Sequence, residues 1–184
     1  MDLGLSGKVV LVTGGTRGIG YSVANVFAEE GSQVVICGRS EEVLTKATRR
    51  LEATGARIVG IEADVCEPKS VANMVEKCLE RCGQIDILVN NVGGASGSRS
   101  ILNTSDEDWY STLGVNLIQT IRVIRSVVPH MKMVGGGAIV NIASISGWVA
   151  QLSGSAQYGS AKAALIFLTE RLALELVGYN IRVN

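Results

Sequence analysis

Six short apolar segments recur along the chain, and the stretches between them carry apolar residues at helical spacing. The segments are "KVVLV" at 8–12, "QVVIC" at 33–37, "ARIVGIEA" at 56–63, "DILVN" at 86–90, "GAIVNIA" at 137–143 and "NIRVN" at 180–184. Strands that alternate with helices in this way form a parallel sheet with helices on both faces. We therefore expect a doubly wound α/β fold with one helix in each gap, built as one domain over residues 1–184.

A glycine-rich stretch, "TGGTRGIG" at 13–20, directly follows the first strand and opens the first helix. Glycines at such a turn let backbone N–H groups approach a pyrophosphate, and the helix N-terminus adds partial positive charge. The spacing from Gly14 is G-x-x-x-G-x-G rather than the general G-x-G-x-x-G, and no lysine follows Gly20, which excludes a P-loop. A dinucleotide site is therefore favoured, and glycines that serve only a tight turn are the alternative.

Two long loops follow the fourth and fifth strands. They are rich in Gly and Ser and read "NNVGGASGSRS" at 90–100 and "SISGWVAQLSGSAQ" at 144–157. In open α/β sheets, ligands bind at the carboxyl ends of the strands, where the strand order reverses. We expect both loops to border the ligand site.

Tyr158 and Lys162 stand four residues apart in "YGSAKAALIF", so a helix places both on one face. A free phenol exchanges protons poorly at neutral pH, but an ammonium group about 6 Å away favours the phenolate by roughly 2 to 3 kcal/mol at an effective dielectric near 20. The pair is therefore a candidate for proton transfer. A tyrosine and a lysine that flank a packed surface helix are the alternative.

Composition and charge exclude several classes of protein. The 17 Lys and Arg residues balance 17 Asp and Glu residues, which disfavours nucleic acid or an anionic membrane as a partner. No charged residue occurs from 133 to 161, but that stretch contains Asn141, two Gln and several Ser and Gly, which suits a soluble interior better than a bilayer. Cys37, Cys66, Cys78 and Cys82 form no C-x-x-C pair, and the first 20 residues contain no secretory signal, so we expect free thiols and a cytoplasmic protein.

These motifs occur in the order that is typical of the classical short-chain dehydrogenase/reductase family. The matching positions are the glycine loop at 14–20, Asp64, "NNVG" at 90–93, Asn116, Ser144, Tyr158 and Lys162. The sequence closely resembles that family over its whole length, 3-oxoacyl-acyl carrier protein reductases and tropinone reductases in particular. The resemblance implies a Rossmann fold and hydride transfer between a nicotinamide cofactor and a carbonyl or carbinol carbon. Val92, where the family usually has Ala, is a small apolar departure.

The resemblance also implies roles for individual residues. Tyr158 exchanges the proton, Lys162 also holds the nicotinamide ribose, Ser144 binds the substrate oxygen, and Asn116 helps a proton-carrying water chain. Two of these have structural alternatives: Ser146 stands two residues from Ser144, and Asn116 could serve as a capping or water-binding residue. The cofactor contacts expected are Gly14, Thr16, Arg17, Gly18, Ile19, Gly20, Arg39, Asp64 at the adenine ring, Val65, Asn90, Gly93, Tyr158 and Lys162. His130 has no second ligand at metal spacing, so we expect no metal.

The second strand indicates which nicotinamide cofactor is preferred. An NAD site generally has a carboxylate near the end of this strand for the ribose hydroxyls, but "CGRS" at 37–40 has Gly38 and then Arg39. Arg39 and Arg17 could form charge-assisted hydrogen bonds to a 2′-phosphate. The sequence therefore predicts NADP(H).

Two functions from different classes remain open at this point. The first is an NADP(H)-dependent reductase or dehydrogenase of a small-molecule carbonyl or alcohol, and the second is a dinucleotide-binding module with little turnover. The apolar loop around Trp148, Val149 and Leu152 suggests a partly hydrophobic substrate, such as a 3-oxoacyl thioester, a steroid or a cyclic ketone.

The resembled family continues beyond its sixth strand with a Pro-Gly turn, a segment over the substrate, and a further strand and helix. This sequence ends at "NIRVN", so we expect the cofactor half of the site to be intact and the substrate half to be incomplete. Two long helices, expected at about 156–177 and 106–131, carry apolar faces. They predict a homo-oligomer, a dimer or tetramer, that pairs these helices across a two-fold axis.

Overall fold

The computed structural model describes residues 2–150 and 154–184 and contains one six-stranded parallel sheet. The strands are β1 (Val9–Val12), β2 (Gln33–Gly38), β3 (Ile58–Glu62), β4 (Ile87–Asn90), β5 (Gly137–Asn141) and β6 (Ile181–Val183). Their order across the sheet is β3-β2-β1-β4-β5-β6, and all five neighbouring pairs are parallel. This is the doubly wound Rossmann arrangement expected from the sequence, and the strand order reverses between β1 and β4.

Helices connect the strands and cover both faces of the sheet. They are α1 (Gly18–Glu29), α2 (Glu41–Glu52), α3 (Pro68–Cys82), α4 (Asp106–Leu113), α5 (Gln119–Met133) and α6 (Ala156–Leu176). Successive side chains of a strand point to opposite faces, so Val9 and Leu11 of β1 pack in the cluster with α3 and α5, whereas Val10 and Val12 pack in the cluster with α1 and α2. The apolar runs are therefore buried on both sides, which is why they do not alternate with polar residues.

The gap between β4 and β5 differs from the expectation of one helix in each gap. It contains α4 and α5, joined by a wide π turn at Gly114–Ile118. The buried side chain of Asn116 lies in this turn and bonds outside its own helix, to the backbone of Gly94. A π turn inserts one extra residue into a helix and often marks a functional position.

Within the described part of the chain, no helix has the length and apolar character needed to cross a membrane.

Candidate functional site

A cavity of about 580 Å³ opens at the carboxyl ends of the strands, where the strand order reverses. Its walls come from the loops after β1, β2, β3, β4 and β5 and from one face of α6. The lining residues expected from the sequence are Gly14, Thr16, Arg17, Gly18, Ile19, Arg39, Asp64, Val65, Gly93, Tyr158 and Lys162. The structure therefore brings together residues that span nearly 150 positions of the chain.

The glycine loop has the close approaches that its sequence suggests. Gly14 and Gly18 have φ values of 64° and 56°, which residues with side chains rarely adopt. Gly20 does not line the cavity, contrary to expectation. A Cβ at Gly20 would come within 2.4 Å of both Asn91 Nδ2 and the Gly14 carbonyl oxygen, so this glycine is required for packing beneath the loop.

The end of β2 forms the wall that carries Arg39. Both Arg39 and Arg17 line the cavity and are exposed. A Cβ at Gly38 would lie 2.7 Å from Thr16 Cγ2, so the glycine loop leaves no room for a side chain at position 38. This end of the cavity is therefore positively charged, and a carboxylate at position 38 is sterically disfavoured.

Asp64 follows β3 in a tight polar turn. Its Oδ1 accepts the Cys66 backbone N–H at 2.9 Å, and its own N–H donates to Ser70 Oγ at 2.9 Å. Arg122 of α5 donates to the Cys66 carbonyl, which fixes the turn from the other side. Asp64 and Val65 are thereby held at the cavity wall.

Tyr158 and Lys162 lie one helical turn apart in α6 and both face the cavity. Lys162 Nζ is 5.9 Å from the centre of the Tyr158 ring and donates to the Ile142 carbonyl at 2.7 Å. Lys162 is only 3% exposed, and burial lowers its pKa. No carboxylate of the described residues lies within ion-pair distance of it, so its charge is buried with one backbone oxygen as partner.

Ser144 and Asn116 adjoin the cavity but are not part of its lining. Ser144 follows Ile142 and Ala143, which do line it, and its Oγ accepts the Ser146 N–H at 3.2 Å. Three hydrogen bonds hold the Asn116 amide: Oδ1 accepts the Gly94 N–H, and Nδ2 donates to the carbonyl oxygens of Gly94 and Thr112, all at 2.9 Å. In this structure the Asn116 side chain therefore holds the loop after β4.

Asn90, an expected cofactor contact, does not line the cavity. Asn90 is buried in β4 and donates to the side chain of Asn141 on the neighbouring strand. The next residue, Asn91, lines the cavity instead and donates to the carbonyl oxygens of Thr13 and Gly14. Side chains alternate across a strand, and that alternation is the signal that could have identified Asn91.

Two cysteines, Cys37 and Cys66, also line the cavity. Burial raises the pKa of Cys37 to about 11 and also raises the pKa of Cys66, so both are neutral thiols rather than nucleophiles at neutral pH. Among the residues that the structure describes, no three His, Cys, Asp or Glu side chains cluster as metal ligands would.

The cavity fits an extended dinucleotide. One end has two arginines, the middle is a cradle of glycines at a helix N-terminus, and the other end has a buried lysine and a tyrosine. Glycines with positive φ leave backbone N–H groups free to approach phosphates, and Lys162 has three N–H donors of which one is used within the protein.

Comparison with known proteins identifies relatives that span most of this chain. The family model described as "short chain dehydrogenase" matches residues 8–184. A 3-oxoacyl-[acyl-carrier-protein] reductase from Chlamydia pneumoniae is 38% identical over 184 residues, which cover 100% of this chain and 73% of that protein. Against the first curated relatives, the chain spans 64% to 73% of their length.

Solved structures agree closely with the fold. The L-sorbose reductase from Gluconobacter frateurii, in complex with NADPH and L-sorbose, superposes with a TM-score of 0.95 at 39% identity, covering 100% of this chain and 70% of that one. An NAD⁺-bound xylitol dehydrogenase superposes with a TM-score of 0.94 at 34% identity, covering 98% of this chain and 69% of that one. Similar folds in this set therefore carry either cofactor.

Proposed function

Because this chain belongs to the short-chain dehydrogenase/reductase family, an oxidoreductase family that binds nicotinamide dinucleotides, we propose that it is an NADP(H)-dependent reductase of a small-molecule ketone. The reverse reaction, oxidation of a secondary alcohol, uses the same site. When bound, the nicotinamide ring supplies or accepts the hydride. The side chains of this chain then have to bind the dinucleotide, orient the substrate and move one proton.

The observation that carries the proposal is the buried, unpaired ammonium group of Lys162 beside Tyr158. A buried charge is costly unless it is paired, and the one protein partner of this ammonium is the Ile142 carbonyl. Its remaining donors suit the hydroxyl groups of a ribose, and its positive charge stabilises negative charge on the Tyr158 oxygen. A packing role alone would not place a cation here.

Tyr158 is the proton donor to the substrate oxygen in the direction of ketone reduction. It shares the cavity with the glycine loop and stands one turn from Lys162 on the same helix. Ser144, at the adjoining end of β5, is the second hydrogen-bond partner of that oxygen. Its hydroxyl keeps its proton available for donation, because in this structure Oγ acts as an acceptor from Ser146 N–H.

For Asn116 we favour a positioning role over membership of a proton-carrying water chain. Both of its side-chain N–H donors and one lone pair of Oδ1 are used by Gly94 and Thr112, so the amide is fixed in place and holds the loop after β4.

The preference for NADP(H) rests on the cations at the end of β2. Arg39 and Arg17 border one end of the cavity, and Gly38 packs against Thr16 where an NAD site generally has a carboxylate. Each arginine can form charge-assisted hydrogen bonds to a 2′-phosphate. Asp64 keeps one carboxylate oxygen for the adenine, since the other is used by the Cys66 N–H.

Relatives and the loop after β5 support the proposed class of substrate. Relatives include a 3-oxoacyl-[acyl-carrier-protein] reductase and an L-sorbose reductase. The loop after β5 presents the exposed apolar side chains Ile145, Trp148 and Val149, which suit a partly hydrophobic ketone. Leu152, also expected in this apolar loop, lies outside the described residues.

We also propose that the protein is a cytoplasmic homo-oligomer. All four cysteines are free thiols, which suits a reducing compartment. An exposed apolar stripe follows α6, with Phe167 70% and Leu174 72% exposed, and Tyr110 of α4 is 72% exposed. Residues seven apart lie on one helix face, so Phe167 and Leu174 can pack against a second copy of the chain.

A spectrophotometric screen tests the proposed activity. Oxidation of NADPH is followed with acetoacetyl coenzyme A, L-sorbose, a 7-oxo steroid and a set of cyclic ketones, and NADPH binding is measured separately by its fluorescence. We expect binding together with turnover of at least one ketone. Stoichiometric binding without turnover of any of them would instead support a dinucleotide-binding module.

A further inference from the structure

The loop that follows β4 is held by three buried amide side chains. Asn116, Gln119 and Gln157 each have 0% exposure. Asn116 bonds both the N–H and the carbonyl of Gly94, as described above. Gln119 Nε2 donates to the Val92 carbonyl at 3.0 Å, and Gln157 Nε2 donates to the carbonyl oxygens of Ser96 and Ser98 at 3.3 and 3.0 Å.

Each amide holds a different part of this loop. Val92 lines the dinucleotide cavity, and Gln119 reaches it from the start of α5. Ser96 and Ser98 lie beyond the lining residues, and Gln157 reaches them from the first turn of α6, immediately before Tyr158. The first half of the loop therefore borders the cofactor space, and the second half is bonded to the residue that immediately precedes Tyr158, the proposed proton donor to the substrate.

The backbone of the loop is shaped to meet Gln157. Gly97, between the two bonded serines, has a φ of 77°, and a Cβ there would lie 3.4 Å from Gln157 Nε2 and 3.5 Å from Asp108 Oδ1. Because both neighbouring carbonyls point at one NH₂ group, the orientation of the Gln157 amide is determined by its partners.

Both glutamines spend their NH₂ groups on partners that a purely apolar side chain could not satisfy. Gln119 Nε2 donates to the Thr120 hydroxyl at 2.8 Å as well as to the Val92 carbonyl, and Gln157 Nε2 donates to two loop carbonyls. A leucine of similar size would fill the same space but leave these loop carbonyls without their donor. The amide groups, rather than the volume of the side chains, therefore hold the loop.

We propose that Gln119 and Gln157 are positioning residues that hold the two halves of this loop separately, Gln119 for the cofactor and Gln157 for the substrate. The assignment to substrate and cofactor rests on the proposed function, but the mechanical part of the proposal does not. Loss of Gln157 releases residues 95–100, and loss of Gln119 loosens the loop at Val92 only.

Limited trypsin digestion tests the mechanical part without any substrate. Arg99 is exposed in the second half of the loop, so cleavage after Arg99, identified by fragment mass, reports release of that half. In Gln157→Leu we expect this cleavage to accelerate about tenfold relative to cleavage after Arg50 of α2, as the loss of two ordinary hydrogen bonds implies. Gln119→Leu and the distant control Gln33→Leu are expected to remain within about twofold of the unaltered protein.

Kinetics test the division between the two glutamines. With NADPH and the best ketone from the screen, Gln157→Leu should raise the KM for the ketone about tenfold and leave the dissociation constant of NADPH within about twofold. Gln119→Leu should mainly raise the dissociation constant of NADPH. Gln33→Leu should change neither constant. If Gln157→Leu does not fold, Gln157→Asn keeps the amide but is too short for both carbonyls and serves in its place.

Unchanged relative cleavage after Arg99 in the Gln157 variant overturns the whole proposal. Faster cleavage overturns the division of roles if the two variants change the KM for the ketone and the dissociation constant of NADPH equally. If no ketone is turned over, the proposed function fails, but faster cleavage in the Gln157 variant still supports the proposal that Gln157 holds the second half of the loop.

Discussion

Tyr158 and Lys162 are adjacent on one face of α6 but differ in burial and in partners. Lys162 is buried and bonded to the Ile142 carbonyl, whereas the Tyr158 ring lies in the cavity wall. Removing the phenol oxygen should therefore disturb chemistry without disturbing the lysine.

Tyr158→Phe tests the proton-transfer role. The ring and its packing remain but the proton donor is lost, so kcat should fall by at least about 100-fold while NADPH affinity stays within about twofold. Steady-state kinetics and fluorescence titration measure the two quantities. Turnover close to that of the unaltered protein would reduce Tyr158 to a packing residue.

Gly93 occupies the narrow space between Asn116 and Lys162. A Cβ there would lie 2.9 Å from Asn116 Oδ1 and 3.2 Å from Lys162 Nζ. Gly93→Ala should therefore displace one of these groups and weaken NADPH binding by about tenfold. Gly94→Ala is the matched control, because a Cβ at Gly94 meets nothing within 4 Å. Equal NADPH affinities in the two variants would contradict the steric argument.

Arg39→Asp tests the cofactor preference. Reversing the charge near a 2′-phosphate should weaken the binding of NADPH at least about tenfold and leave the binding of NADH unchanged or stronger. Fluorescence titrations with both nucleotides give the ratio, and Arg125→Asp on the exposed face of α5 controls for the change in net charge. A ratio that Arg39→Asp leaves unaltered would rule out this arginine as the determinant.

At the scale of elements, the starts of helices can be predicted where the signal lies in neighbouring residues. Ser40 caps α2 by accepting the Val43 N–H, Pro68 occupies the first turn of α3, and Ser105 with Asp108 forms a reciprocal capping box at α4. Each of these signals involves residues within about four positions of each other. The six strands were likewise found, because buried parallel strands are unbroken apolar runs.

Features that depend on distant partners were not predictable from the sequence. The π turn at Gly114–Ile118 accompanies bonds between Asn116 and Gly94, which are 22 residues apart. The roles of Gln119 and Gln157 depend on loop carbonyls 27 and 59 to 61 residues away. Asn90 was chosen over Asn91 because the end of β4, and therefore the face of each asparagine, could not be fixed to one residue.

Ser105→Ala tests the capping box of α4. Loss of the bond to the Asp108 N–H should lower the free energy of unfolding by about 1 kcal/mol. Urea denaturation measures this value. Ser100→Ala is the control, since Ser100 precedes the short 3₁₀ turn Ile101–Asn103 without a side-chain capping bond. The cap contributes nothing if the two variants unfold at the same midpoint.

At the scale of the whole molecule, Phe167 and Leu174 of α6 form exposed apolar surface on the helix proposed to pair two copies of the chain. Phe167→Glu and Leu174→Glu place charges on that surface and should dissociate the proposed oligomer. Light scattering after size exclusion measures the mass. Val26→Glu, which charges an exposed position of α1, should leave the mass unchanged. A monomeric unaltered protein would contradict the pairing of these helices.

The sheet consists of two halves, β1 to β3 and β4 to β6, which meet along the β1–β4 ladder. Arg39 belongs to the first half and Lys162 to the second, so a dinucleotide that reaches both residues links the two halves of the sheet. At a concentration 100 times its dissociation constant, such a ligand adds about 2.7 kcal/mol of stability, which lowers the unfolded population about 100-fold. Cellular proteases act on that population. The nucleotide pool would thus set the lifetime of the protein as well as its reaction rate.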